Sequence, residues 1–103
     1  MLFRSVRKAI GFDGLVMSDD LSMKALGGAF EERSRAALAA GCDVVLHCNG
    51  DRAEMEGVIE GAKPLAGRAL VRARAALARL AKTPEPFDVE EGRARFDAAF
   101  PSA

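Results

Sequence analysis

Two short apolar runs without polar alternation constrain this chain more than any other feature: Gly14-Leu15-Val16-Met17-Ser18 and Asp43-Val44-Val45-Leu46-His47. A strand with one wet face alternates apolar and polar residues. A continuous run fits a strand covered on both faces, the habit of parallel sheets. Between the runs, Phe30 to Ala40 reads as a helix, with Glu31 and Glu32 in its first turn and Gly41 just past its end, as the helix dipole and C-cap geometry prefer. Strand, crossover helix and strand within about 34 residues make a right-handed βαβ unit, which places the chain in the α/β class.

The flanks read as helices and turns. Residues 2–10 place Phe3, Val6, Ile10 and the stem of Arg7 at helical spacing, and Gly11 stops them. Asn49-Gly50-Asp51 is a turn, and Asp51 can cap a helix running to about Ala62, with Met55, Val58, Ile59 and Ala62 on one face. After Pro64, residues 66–81 form a longer amphipathic helix with Leu70, Ala73, Leu77 and Leu80 on its apolar stripe. Arg68, Arg72, Arg74 and Arg79 read as a solvated face of that helix. Thr83-Pro84-Glu85-Pro86 is a linker, and a final short helix around Val89–Phe100 carries Phe96 and Phe100. No internal repeat and no low-complexity tract occurs.

Two apolar parallel strands are too few for this much helix, because an isolated pair is marginal in water. Either the chain is the end of a larger α/β protein, or it associates with other strands through its exposed edges. Fifteen Lys+Arg balance fifteen Asp+Glu among 103 residues, and half the residues are hydrophobic, which excludes a disordered chain. Neutrality gives no electrostatic reason to expect nucleic acid or an acidic membrane as partner. No apolar run approaches the ~20 residues a membrane-spanning helix needs. Arg4, Arg7 and Lys8 interrupt the start before a signal-peptide core accumulates, so a cytoplasmic protein is expected. Cys42 and Cys48 flank the second run, poorly placed to pair, and are expected as reduced, buried thiols.

The segment Gly11-Phe12-Asp13-Gly14-Leu15-Val16-Met17-Ser18-Asp19-Asp20-Leu21-Ser22-Met23 resembles the nucleophile motif of family 3 glycoside hydrolases, in the branch of bacterial β-N-acetylhexosaminidases that act in cell-wall recycling. The later run ALAAGCDVVLHCNGD is similar to the next strand of that branch. The resemblance implies the C-terminal part of a (β/α)8 TIM-type barrel, with residues 14–18 and 43–47 as its last two strands, and chemistry in that fold gathers at the C-terminal ends of strands. It divides the chain into barrel strands and helices over 1–82 and a C-terminal linker and short helix over 83–103. It also implies that the chain covers only about the last third of such an enzyme. Ala9 stands where members usually carry an acidic residue.

By this resemblance Asp19, one residue past the first strand, is the nucleophile that bonds the anomeric carbon and gives net retention. On residue type alone, Asp19 reads more readily as a cap for the short helix begun by Leu21. Asp20 is its neighbour and cannot bracket the same bond; it is expected to cap or hydrogen-bond the loop. The family's proton donor is a histidine on an upstream loop, within a Lys-His-Phe-Pro-Gly-type segment that this chain lacks. His47 matches no part of that segment and reads as a packed, hydrogen-bonded histidine, with a substrate-facing role as the alternative because the end of its strand also opens toward the barrel mouth. The implied substrate is terminal β-N-acetylglucosamine of muropeptides, with no cofactor and no metal. The bare chain is expected to be inactive.

Weaker motifs are set aside on chemical grounds. Gly27-Gly28 precedes a helix, yet Glu31 and Glu32 would repel a phosphate there. Cys42, His47 and Cys48 lack the second half of a zinc site. Two alternatives from other classes stand beside the glycosidase. One is a non-catalytic α/β module that oligomerises or docks on a partner. The other is a phosphoacceptor aspartate, which would need acidic residues and a lysine on further strands.

Overall fold

The two apolar runs pair in parallel, as their composition requires. The structure, a computed structural model describing residues 5–101, places β1 at Met17–Asp20 and β2 at Val44–Leu46, joined by α1 at Phe30–Ala40. The chain is therefore of mixed α/β type, with a parallel two-stranded sheet. Met1–Arg4, and with them Phe3 and the expected start of the first helix, lie outside the described residues. Ser5–Ala9 form a π-helical turn, and Gly11 turns the chain at φ 74°.

β1 begins three residues later than the apolar pattern predicts. The reason lies in where the backbone polar groups go, since each buried one must find a partner. The Gly14 carbonyl accepts from the Arg7 guanidinium at 2.7 Å. The Val16 N–H donates to the Asp43 carboxylate at 2.9 Å, and the Val16 carbonyl accepts from the Asp43 amide at 2.8 Å. The Arg7 side chain, seven residues away, and Asp43, 27 residues away, thus satisfy a stretch that would otherwise be ladder, and regular pairing starts at Met17.

Local chemistry sets the helices. Glu32 reaches back to the Ala29 N–H at 3.3 Å, and Gly41 ends α1 at φ 116°. Asp51 Oδ1 accepts from the Glu54 amide at 3.0 Å and starts α2, Arg52–Gly61. α3 runs from Gly67 to Ala78 and tightens into a 3₁₀ turn over Arg79–Ala81. Asp88 caps α4, Val89–Ala99, as Asp51 caps α2, through the Glu91 amide at 2.9 Å.

The face that α2 buries differs from the expected one. α2 packs on α1 through Gly57, Val58 and Gly61, and an added Cβ at Gly61 would collide with the Glu31 carbonyl and lie 2.9 Å from Ser34 Cβ. Glycine lets the helix axes approach, which leaves Met55 and Ile59 facing outward, Ile59 at 69% exposure. Among the described residues, the buried apolar ones are Leu21, Cys42 and Val58. Neither strand is covered on both faces here: Met17 is 52% exposed, and Leu46 is exposed too. Leu77 and Leu80 of the α3 stripe are likewise uncovered, and so are Phe96 and Phe100, whose rings sit 4.9 Å apart on α4. The radius of gyration, 18.5 Å, exceeds the ~13 Å of a compact domain of this length.

Candidate functional site

The C-terminal ends of both strands meet in one hydrogen-bonded turn, and Asp19 and Asp20 lie inside it. β1 and β2 pair Met17 with Val44 and Asp20 with Leu46, so three steps on β1 oppose two on β2. The extra residue is a β-bulge, a device that bends a strand and re-aims a side chain. Ser18 makes it: its hydroxyl takes the Leu46 amide at 3.0 Å, where a β1 carbonyl would stand, and donates to the Asp19 carbonyl at 2.8 Å. Pairing resumes with the Leu21 amide on the Leu46 carbonyl at 2.9 Å. Asp19 therefore sits within the strand's last residues rather than one residue beyond it, because the bulge prolongs the pairing.

The Asp19 side chain is exposed, and its Oδ1 accepts from the Asp20 amide at 2.8 Å. No helix is capped by it. Asp20 points the other way and is half-buried. Its Oδ1 accepts from the Ser22 amide at 2.9 Å and the Cys48 amide at 3.0 Å, and its Oδ2 accepts from the Ser22 hydroxyl at 2.5 Å. These bonds, Ser22's hydroxyl first, hold the Asp20 carboxyl below the usual carboxylate range. Asp20 thus ties the end of β1 to the end of β2.

His47 is enclosed, its side chain 6% exposed. Nε2 lies 2.8 Å from Glu54 Oε2, the Phe30 ring meets it edge-on at 5.7 Å, and Nδ1 is buried without a partner. Cys42 is buried as expected, whereas Cys48 is exposed, contrary to expectation, because it lies in the turn beyond β2. Both thiols are pushed up, Cys42 by burial and then the Asp43 charge, Cys48 by lost hydration and then the Asp20 and Asp19 carboxylates. At neutral pH both are thiols, poor metal ligands and poor nucleophiles. Among the described residues no three of His, Cys, Asp and Glu gather to hold a metal ion.

A second polar cluster lies at the opposite ends of the strands, and sequence reasoning missed it. Asp43, its side chain 4% exposed, accepts from Arg7 at 2.6 Å and from Arg72 at 2.9 Å, besides Val16. Arg72 also meets Asp13 at 2.6 Å, and Arg68 meets Asp13 at 2.8 Å. Arg72 is therefore not on a solvated face; its side chain is 17% exposed, drawn inward by two carboxylates. No local pattern marks Asp43, which reads as an ordinary strand-start residue. Ser22 was more legible, since Asp-x-Ser is an Asx-turn pattern.

With this geometry in view, the comparisons are specific. The model of the family "Glycosyl hydrolase family 3 N terminal domain" matches residues 1–82, and the chain belongs to that family of glycoside hydrolases. It is similar to the beta-hexosaminidases of Mannheimia succiniciproducens and Haemophilus influenzae strain PittEE, each 53% identical over 57 residues, which make up 53% of this chain and 15% of each relative. It is also similar to the beta-hexosaminidase of Tolumonas auensis, 45% identical over 67 residues, or 62% of this chain and 20% of that protein. The chain thus spans a small part of the curated relatives it matches. No solved structure matches it significantly.

Proposed function

We propose that this chain is the C-terminal part of a (β/α)8 barrel that hydrolyses terminal β-N-acetylglucosamine from muropeptides with retention, with Asp19 as the nucleophile. The observation that carries this reading is the bulge, which presents an exposed carboxylate at the C-terminal end of a parallel strand. In the first step an Asp19 oxygen bonds the anomeric carbon as the glycosidic C–O bond breaks, and the leaving oxygen takes a proton from an acid. Water then cleaves the glycosyl ester. Retaining enzymes hold the nucleophile and acid ~5 Å apart, across the scissile bond. His47 is enclosed and already engaged by Glu54, which disfavours it as the acid; the family resemblance assigns that role to a histidine outside this chain. The reaction needs no cofactor or metal.

Asp20 is read as the residue that holds the turn, and residues 83–103 as a linker and helix beyond the barrel. Met17 and Leu46, uncovered here, are read as surfaces that neighbouring barrel elements cover. A cytoplasmic site of action completes the reading. The same exposed apolar surface supports a second reading, self-association of the separate chain through its strand edges. Light scattering across a dilution series distinguishes a monomer from that assembly.

The test is a chimera in which this chain replaces the matching stretch of the Haemophilus influenzae beta-hexosaminidase. It should hydrolyse a chromogenic β-N-acetylglucosaminide, and Asp19→Ala should cost on the order of 10⁴-fold in kcat. An Asp19→Ala chimera that keeps its rate refutes the assignment.

A further inference from the structure

One carboxylate oxygen holds both neighbours of Cys48. Glu54 Oε2 lies 2.8 Å from His47 Nε2 and accepts from Asn49 Nδ2 at 2.5 Å. Between those two residues, the Cys48 amide donates to Asp20 Oδ1. Glu54 is itself fixed from behind. Its amide is capped by Asp51, and the Asp51 amide donates to Asn49 Oδ1 at 2.9 Å. The turn from His47 to Glu54 therefore closes on itself, and its outward link is the Cys48 N–H aimed at the residue beside Asp19.

We propose that Glu54 is a positioning residue: by pinning His47 and Asn49 it aims the Cys48 amide at Asp20, and so fixes the pose of the bulge that presents Asp19. The proposal rests on the nucleophile assignment above for its functional consequence, but its structural part stands apart from it. The chemistry is directional. Glu54 offers one acceptor to two donors, so the hydrogen that His47 directs at it sits on Nε2. Side chains that orient reacting groups through intervening bonds act on kcat rather than on binding.

Two measurements test this on separate footings. In the full chain, amide hydrogen exchange is followed in wild type, Glu54→Ala, Glu54→Gln and His47→Gln. The expected result is Cys48 exchange at least tenfold faster in Glu54→Ala, with the Leu21 amide on Leu46 unchanged. Glu54→Gln and His47→Gln, which keep an acceptor and a donor in place, should restore most of the protection. Unchanged Cys48 exchange overturns the proposal. So does a loss shared equally by Leu21, since Glu54 would then only support the fold. In the chimera, Glu54→Ala should lower kcat about tenfold or more with KM little changed, and Glu54→Gln should recover it. A KM effect alone overturns the positioning role. An Asp19→Ala chimera with full activity instead overturns the nucleophile assignment, so the two failures are distinguishable.

Discussion

Asp43 is a buried carboxylate held between two guanidiniums, and its replacement by Asn tests how the two strand starts are held. Its carboxylate, 4% exposed, faces Arg7 at 2.6 Å, Arg72 at 2.9 Å and the Val16 amide at 2.9 Å. Asn keeps the shape and one acceptor but turns an amide NH₂ toward a guanidinium, takes the charge from Arg7, and leaves Arg72 with Asp13 alone. Breaking a buried charge cluster by removing one partner costs about 3–5 kcal/mol. Retention of one acceptor reduces this to about 2–4 kcal/mol, on the scale of ~1 kcal/mol per hydrogen bond. Against a typical stability of ~5–15 kcal/mol, and with few buried apolar residues among those described, the loss is large. With a urea slope of about 1–3 kcal/mol per molar, the unfolding midpoint followed by circular dichroism should fall by ~0.7 M or more. Burial alone would raise the Asp43 carboxyl, but the Val16 amide, Arg72 and Arg7 outweigh it and the net shift is downward. Such a group contributes stability above the unfolded carboxyl value near ~3.9, and that contribution is lost as pH falls through the lower folded value. The gap between wild type and Asp43→Asn should therefore be full at pH 6 and shrink below about pH 4. A midpoint change worth less than ~0.5 kcal/mol at pH 6 would refute the reasoning.

The same geometry sets three further outcomes. Gly61→Ala puts a Cβ against the Glu31 carbonyl and Ser34, so it should lower stability by about 1–3 kcal/mol in a thermal melt, and an unchanged melt would show that α1 and α2 part freely. The Asp13 carboxyl, pulled down to about 2 by hydrogen bonds from Arg72 and then Arg68, should titrate by carbon NMR well below an ordinary aspartate, and Arg72→Ala should move it back up. Cys48 should react with a disulfide reagent in the folded chain, slowly at neutral pH and faster above its ordinary value of 9.0, while Cys42 should react only on unfolding; equal rates would contradict the placement of Cys42 in the core.

Local signals carried the helices. Asp51 and Asp88 cap the helices that begin beside them, and Gly41 supplies the left-handed end of α1, because caps depend on residues within one turn. The parallel pairing was legible from two unbroken apolar runs joined by a crossover helix. The start of β1 was not, because Arg7 satisfies the backbone of Gly14 across a tight turn and Asp43 that of Val16 from 27 residues away. Nor was the inward turn of Arg72, whose carboxylate partners lie 29 and 59 residues away. The helix period marked Met55 and Ile59 for burial, but glycine packing won because it lets backbones close up. At the site, Asp19 and Asp20 stood out through a motif, whereas the bulge that separates their directions depends on the Ser18 hydroxyl meeting an amide on the other strand.

Covalent trapping tests the central claim most directly. The chimera would be treated with a fluorinated N-acetylglucosaminide whose leaving group departs without a proton, then digested and sequenced by mass spectrometry. One glycosyl adduct is predicted, on the peptide bearing Ser18-Asp19-Asp20, at Asp19. An adduct on Asp20, or on any residue outside this chain, would contradict the account.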